Sequence, residues 1–269
     1  VYMQIDNKIG VRRFGLVNWI GVATLVKREI MRFLAVWNQT IAAPMVTSGL
    51  FLLIFNIAVG PNRGLVMGYS YIIFMVPGIV MMSIIQNAFA NTSSSIMTSK
   101  IQGNIVDTLM PPLSAAEMLA GYVLGGIARG LFVAIGLWVG CAFVLGIKVA
   151  HPLLALAFTI SGAGFLASLG LLAGIYAQKY DQMSAITNFI ITPLAFLSGS
   201  FYSITALPEV LQKIALFNPI FYLIDGLRFS VLGVSDTPVL PGLMISLICF
   251  FATGFVAWWM LLRGYRLKP

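Results

Sequence analysis

The chain has 269 residues, of which 59% are hydrophobic and 9% are charged, with 16 lysines and arginines against 8 aspartates and glutamates. A soluble domain has about 25% charged residues, so a mean hydropathy of +0.96 excludes an ordinary soluble fold. The composition predicts an integral membrane protein. Because topology can explain a net charge of +8, we expect no nucleic-acid partner.

The first 39 residues are predicted to form a cytoplasmic N-terminal segment whose second half is an amphipathic helix. Apolar residues recur there at alternating steps of four and three, whereas Thr24, Arg28 and Arg32 lie on the opposite face. Such a helix is suited to lie in the plane of the lipid headgroups; packing against soluble protein is the alternative. The apolar set is Trp19, Ala23, Val26, Ile30, Phe33 and Trp37, and the basic residues of the segment are Lys8, Arg12, Arg13, Lys27, Arg28 and Arg32.

Long stretches without charged residues follow, and they predict six membrane-spanning helices. About 20 apolar residues are needed to cross the hydrocarbon core, and these runs are apolar on every face, unlike the alternating strands of a barrel. The predicted spans are about 40–60, 69–91, 115–146, 152–177, 182–202 and 239–262. Residues 40–262 are therefore the transmembrane domain, and residues 263–269 are a basic cytoplasmic tail.

A polar interval, TSSSIMTSKIQGNIVDTLMPP, separates the second and third spans. Ile101, Ile105 and Leu109 recur there at steps of four, which predicts a short amphipathic helix with one apolar face. Ser114 and Glu117 have the capping-box spacing that begins a helix. In the third span, glycines at 121, 125, 126 and 130 form two GxxxG pairs, which allow helices to approach closely.

Residues 204–235 are neither a clean span nor an ordinary loop. Two short apolar helices, 208–217 and 220–232, are predicted on either side of Asn218-Pro219. Each is too short to cross the membrane, so we expect a re-entrant helical hairpin between spans five and six.

Six spans place both termini on one side of the membrane. With the termini inside, the cytoplasmic segments hold eleven of the sixteen basic residues, and four lie outside, namely Arg63, Lys148, Lys213 and Arg228. Arg129 lies within the third span. The positive-inside rule therefore favours cytoplasmic termini.

The sequence offers little chemistry of its own. No lysine is followed by serine or threonine, so the phosphate-binding P-loop is missing from this chain. The single histidine and two isolated cysteines do not form a zinc site. Ion-coupled carriers need ionisable groups near mid-membrane, and Arg129 is the best candidate; it could bind an anionic headgroup or pair with a neighbour.

The stretch SGSFYSITALPEVLQKIALFNPIFYLIDGLR, from residue 198, resembles the signature of ABC-2 type transport permeases. The matching features are Ser198-Gly199, Leu207-Pro208, Asn218-Pro219 and the closing Asp225-Gly226-Leu227-Arg228. Upstream, GYVLGGIARGLFVAIG and VPGIVMMSIIQNAFANTSSS are similar to the YadH-like and NodJ-like subgroup, so the resemblance covers nearly the whole chain.

The resemblance implies a homodimer in the bacterial inner membrane, surrounded by lipid and docked on cytoplasmic ATP-binding cassette subunits. The partner ATPase would bind ATP and Mg²⁺, and this chain would be neither an enzyme nor a holder of cofactors. The implied function is export of a lipid-like, glycolipid or drug-like molecule. A stand-alone secondary transporter or channel is the alternative, and an embedded hydrolase comes third.

The resemblance also assigns roles to residues. The ATPase-coupling residues would be Lys100, Ile101, Gly103, Asn104, Ile105 and Asp107, flanked by the interface-helix residues Lys27, Arg28 and Arg32. Spans two and five would line the substrate path with Ser83, Gln86, Asn87, Asn188, Thr192, Phe196 and Tyr202, although polar residues there could instead only join helices. The hairpin residues Asn218, Pro219, Asp225 and Arg228 would form an outer gate.

Overall fold

The computed structural model describes residues 17–60 and 64–266, which form helices joined by turns. This confirms the predicted all-α membrane fold. The predictions made for Lys8, Arg12, Arg13, Arg63 and Lys268 lie outside the described residues.

Eleven α-helices follow one another along the described residues. They are α1 (Trp19–Ala35), α2 (Ala43–Ala58), α3 (Tyr71–Ile101), α4 (Ile105–Leu109), α5 (Ala115–Leu145), α6 (Pro152–Tyr176), α7 (Tyr180–Ile186), α8 (Thr192–Leu197), α9 (Glu209–Phe217), α10 (Pro219–Leu232) and α11 (Val239–Leu262). A π turn, Asn38–Ala42, leads into α2, and a second, Thr187–Ile191, joins α7 to α8. Five of these helical segments are long and apolar enough to cross a membrane: Asn38–Ala58, α3, α5, α6 and α11.

The fifth predicted span is shorter than expected. α7, the π turn and α8 make one helical rod, Tyr180–Leu197, which is not among the five long apolar segments. It begins with polar residues, including Asp181, and it ends where Gly199 takes a φ of 74° that only glycine adopts easily. We call residues 180–197 the 180–197 rod. Tyr202 therefore lies beyond its end.

The second predicted span is too short, because α3 continues from Asn91 through the polar interval to Ile101. The hydroxyls there bond to carbonyl and carboxylate oxygens of the helical body instead of ending the helix. Thr92 donates to the Ala167 carbonyl at 2.7 Å, and Ser95 donates to Glu29 at 2.7 Å. Polar residues thus extend a buried helix when each hydroxyl has an acceptor.

One end of the helical body gathers the segments predicted to be cytoplasmic. Leu25 of α1, Ile96 of α3, Ile105 of α4 and Leu261 of α11 pack in one apolar cluster with Ala115. We call this end of the helical body the Ile101 end. The opposite end, where α3 begins, is called the Tyr71 end. The predicted capping box holds α5 at the Ile101 end, with Ser114 N donating to Glu117 Oε2 at 2.7 Å.

Helices α9 and α10 form a hairpin that enters and leaves at the Tyr71 end. They bend by 90° at Asn218, close to the predicted break. The residues before and after the pair touch each other, because Ser203 donates to Asp236 and Ile204 N donates to the same carboxylate at 3.3 Å. The chain therefore returns to the end from which it came, as predicted for a re-entrant element.

The two glycine pairs of α5 face different helices. A Cβ on Gly121 or Gly125 would collide with Leu25 or Glu29 of α1, whereas one on Gly126 would lie 2.7 Å from Ala167 Cβ of α6. Each pair therefore allows one close helix approach, which confirms the use predicted for the GxxxG spacing.

Candidate functional site

Two polar grooves flank α3 near its middle. Groove A, between α3 and the 180–197 rod, has a volume of about 450 Å³. Groove B, between α3 and α2, has a volume of about 300 Å³. Gln86 and Asn87 line both grooves, so one turn of α3 forms the ridge between them. The described residues that line one groove or the other carry amide, hydroxyl, thioether, aromatic or aliphatic groups, and none of these residues is charged.

Five of the seven predicted path residues lie at these grooves. Gln86, Asn87, Asn188 and Thr192 line groove A. Ser83 lines groove B, where its hydroxyl bonds to that of Ser48 at 2.7 Å. Residues that the resemblance assigned to spans two and five thus lie close together at α3, and their role as a substrate path stays a prediction.

The two aromatic path residues lie beside the grooves. Phe196 stacks on Phe201, which lines groove B, with ring centroids 5.6 Å apart. Phe201 also contacts the rings of Phe51 and Phe55. Tyr202 is outside this aromatic cluster and donates its hydroxyl to the Leu197 carbonyl at 3.0 Å. An apolar aromatic surface therefore borders the polar groove at the Tyr71 end.

The predicted coupling helix is α4, but its apolar face differs from the prediction. Ile105 is 3% exposed and packs into the cluster at the Ile101 end, whereas Ile101 is 47% exposed. Gly103, with a φ of 73°, ends α3 before α4 begins, so Ile101 and Ile105 do not share a helix face. Ile105 therefore anchors residues 101–110 to the helical body. The exposed residues of this segment are Ile101, Gln102, Gly103, Asn104, Val106, Asp107, Leu109 and Met110.

Lys100 is also an anchor, although the resemblance had assigned it to the ATPase contact. Its ammonium donates to the carbonyls of Ile175 and Ala177, both at 2.7 Å, and to Gly174 at 3.3 Å. These carbonyls end α6, where a cation satisfies unpaired acceptors. Lys100 therefore ties the end of α3 to the end of α6.

α1 packs on the helical body through a face that the sequence did not predict. Val22, Leu25, Glu29 and Phe33 are buried, and Phe33 had been placed on the lipid-facing side. The predicted apolar face is rotated away from this contact, with Trp19 73% exposed. The helix therefore combines a protein-packed face with the exposed apolar face expected for the headgroup plane.

Glu29 is the residue that sequence reasoning missed in α1. Its carboxylate is fully buried and pairs with Arg28 at 3.3 Å and Arg32 at 3.1 Å. The signal in the sequence is an acid placed one and three residues from the two arginines. Lys27, in contrast, is exposed.

The two arginines reach beyond Glu29 to other helices. Arg32 donates to the Asn91 carbonyl of α3 at 2.7 Å, and Arg28 donates to Thr108 of α4 at 2.9 Å. Burial lowers the pKa of Arg28, but Tyr122 and Glu29 outweigh this effect, so the net shift of its pKa is upward. Arg28 and Arg32 thus join α1 to α4 and to α3.

Two of the four residues predicted to form the outer gate, Asp225 and Arg228, belong to a buried network. The predicted pair of Asp225 and Arg228 is present at 3.7 Å, and Asp236 joins it at 3.6 Å from the guanidinium. Arg228 also lies over the Phe74 ring of α3, 4.1 Å from its centroid. The sequence did not reveal Asp236, because it lies outside the matched stretch.

Asn218 holds the bend of the hairpin. Its side-chain amide donates to the Leu194 carbonyl at 2.8 Å and to Ser198 Oγ at 2.7 Å, and its oxygen accepts from Ile220 N at 3.1 Å. Pro219 begins α10, at a position where its missing N–H costs nothing. The Asn-Pro pair therefore fixes the hairpin against the 180–197 rod.

These features define a polytopic helical membrane protein with two polar grooves beside the buried helix α3 and a hairpin at one end. Residues 21–232 match the family of ABC-2 type transporters. The chain belongs to this family.

Curated relatives agree with this assignment. The chain is 38% identical over 251 residues to the inner membrane transport permease YadH of Escherichia coli K12, covering 93% of this chain and 98% of the relative. It is 28% identical over 257 residues to nodulation protein J of Rhizobium leguminosarum bv. viciae, covering 86% and 93%. It is 24% identical over 241 residues to nodulation protein J of Rhizobium meliloti, covering 87% of this chain and 88% of the relative.

Proposed function

We propose that this chain is the membrane subunit of a bacterial inner-membrane exporter whose power comes from ATP hydrolysis by a separate cytoplasmic ATPase. ATP and Mg²⁺ would be bound by that ATPase. Two copies of this chain would form the transport unit, and outward movement is the direction that the family resemblance implies. The Ile101 end is then cytoplasmic, in agreement with the distribution of basic residues.

The exposed coupling segment is the observation that carries this proposal. Residues 101–110 protrude at the Ile101 end, and they are anchored from below by Ile105, by the contact of Thr108 with Arg28, and by the Lys100 cap on α6. The outward surface combines the apolar Val106 and Met110 with polar Asp107. A surface that is exposed, apolar and firmly held suits a protein partner.

The grooves suit an amphipathic substrate. Their uncharged amides and hydroxyls can hydrogen-bond a polar headgroup, while the aromatic cluster at the Tyr71 end offers apolar contact. This combination favours a lipid-like, glycolipid or drug-like molecule over a small ion.

The proposal is tested by co-purifying the tagged chain with its ATPase and measuring ATP hydrolysis by the reconstituted complex. The double variant Val106→Asp/Met110→Asp is expected to reduce the amount of co-purified ATPase and the rate of ATP hydrolysis about tenfold or more. Burying unpaired charges at an interface costs several kcal/mol. Leu65→Asp, which changes a leucine 74% exposed at the Tyr71 end, is the matched control and should behave like wild type.

Unchanged co-purification and ATP hydrolysis in the double variant would contradict docking at this segment. Transport by the purified chain alone under an ion gradient would instead establish the stand-alone transporter. We do not choose Ile105→Asp as the decisive variant, because Ile105 is buried within the chain and its loss would also disturb the fold.

A further inference from the structure

Arg129 is a positive charge in the middle of α5 that the described residues do not neutralise. The ion pairs among those residues join Glu29 to Arg28 and Arg32, and Arg228 to Asp225 and Asp236. The charged neighbour that acts on Arg129 is Arg32, which has the same sign. A cation inside a membrane-spanning helix is costly and is retained where it has a function.

The hydrogen-bonding capacity of Arg129 is also largely unused. A guanidinium has five N–H donors. In the described part of the chain, Nη2 donates to Asn87 Oδ1 at 2.9 Å, and the buried Nε has no partner. An unpaired charged donor in a buried place is destabilising unless a ligand or partner completes it.

Asn87 connects this charge to the grooves. It is 8% exposed, it lines both grooves, and its Nδ2 is held by the Ser83 carbonyl at 2.9 Å, so its oxygen is fixed toward Arg129. Asn87 therefore lies between the guanidinium and the two grooves, and the described residues that line the grooves include no aspartate or glutamate. Arg129 thus places a positive charge behind the ridge between the grooves.

We propose that Arg129 and Asn87, with the neighbouring Gln86, form a subsite that binds an oxyanion, such as a carboxylate, sulfate or phosphate. This inference rests on the proposed function and narrows its substrate class to amphipathic molecules with an anionic group. Guanidinium groups bind oxyanions by charge-assisted hydrogen bonds. The anion could belong to a membrane lipid headgroup or to a soluble molecule, and both present the same chemistry.

The subsite can be tested with two matched probes, without the ATPase. 1-Anilinonaphthalene-8-sulfonate and N-phenyl-1-naphthylamine share one ring system, and only the first carries a sulfonate. We expect the full chain, in nanodiscs of phosphatidylcholine, to bind the sulfonate saturably and at least about tenfold more tightly than the neutral probe, as charged hydrogen bonds imply.

Three variants define the role of the guanidinium. Arg129→Gln should abolish the preference for the sulfonate, and Arg129→Lys should keep part of it. Asn87→Asp places a carboxylate beside Arg129 and should also abolish the preference. It keeps an acceptor for the Arg129 guanidinium but loses the donor to the Ser83 carbonyl, so its unfolding temperature is measured alongside. Arg263→Gln, which removes a cation that lies over Trp259 at the end of α11, is the control and should leave the preference unchanged.

Competition distinguishes the two sources of the anion. Displacement of the sulfonate probe by phosphatidylglycerol in the nanodisc identifies a lipid headgroup, and displacement by sodium sulfate identifies a soluble anion. Absence of a preference in the wild type, or its persistence in both Arg129→Gln and Asn87→Asp, would overturn the inference. Because this assay contains no ATPase, its failure leaves the co-purification result, and therefore the proposed function, untouched.

Discussion

Charged side chains inside the helical body are held by three different kinds of partner. Glu29 is surrounded by two arginines, Arg228 by two aspartates, and Arg129 by an amide. A buried ion loses its hydration, so it persists only where partners replace the lost water. In the first two sites opposite charges pair and hold helices together, whereas in the third the described residues place no opposite charge beside Arg129.

The network around Arg228 gives a prediction about stability. Replacing Arg228 with methionine leaves the carboxylates of Asp225 and Asp236 buried beside an apolar side chain, and we expect a loss of about 3–5 kcal/mol in the free energy of unfolding. Thermal unfolding of the purified protein in detergent measures this loss. Adding Asp236→Asn should recover part of it, and Lys213→Met, at an exposed lysine of the same hairpin, should change nothing. Equal stability of Arg228→Met and wild type would show that the network is not a support of the hairpin.

Helix packing depends on a few glycines whose hydrogen atoms face a neighbouring backbone. Gly170 of α6 is one of them, because a Cβ there would collide with the Phe89 carbonyl oxygen and with Thr92 Oγ1 of α3. A carbonyl oxygen inside a long buried helix cannot rotate away as a side-chain end can. The contact between α3 and α6 therefore leaves no space for a methyl group.

Gly170→Ala should consequently destabilise the protein by about 1–3 kcal/mol, the usual cost of overpacking. Gly140→Ala is the matched control, because a Cβ at Gly140 would meet nothing within 4 Å, and alanine favours a helix slightly. Unfolding temperatures of the two variants provide the comparison. A wild-type value for Gly170→Ala would indicate that the two helices can separate more easily than their contact suggests.

At the level of elements, the sequence predicted what hydropathy and spacing determine. The starts of α5, α6 and α11, the break at Asn218 and the glycine pairs of α5 were predicted because each depends on a local pattern. The end of α3 was not predicted, because it depends on tertiary contacts. The end of the 180–197 rod was missed although the glycine at position 199 marks it. In the sequence Thr92 and Ser95 are typical loop residues. In the structure they lie in α3, because Ala167 and Glu29 accept their hydrogen bonds.

The candidate site shows the same division. The resemblance assigned polar residues of spans two and five to a substrate path, and five of the seven residues named line the two grooves beside α3; the path itself stays a prediction. The anchoring roles of Lys100 and Ile105 could not be predicted from the sequence. Both residues lie near a helix end, and only the structure shows that Lys100 contacts the end of α6 and that Ile105 is buried. Arg129 was visible in the sequence, but its position behind Asn87 required the structure.

At the scale of the whole molecule, α1, α4 and the end of α11 meet at one end, and the hairpin lies at the other. This polarity predicts the result of a labelling experiment in intact bacterial cells. In a background with Cys141→Ala and Cys249→Ala, Leu65→Cys should react with a membrane-impermeant maleimide added outside the inner membrane. Met110→Cys should react only after the membrane is permeabilised. The opposite pattern would reverse the topology that we propose.

The two π turns determine where the walls of the grooves can deform. In each turn an N–H bonds to the carbonyl five residues earlier, Ala43 to Asn38 and Thr192 to Thr187, and a proline follows at Pro44 or Pro193. Wide turns next to proline are where helices bend at least cost. α3 is buried between neighbouring helices, so we expect the two grooves to widen by movement of their outer walls rather than by movement of the ridge.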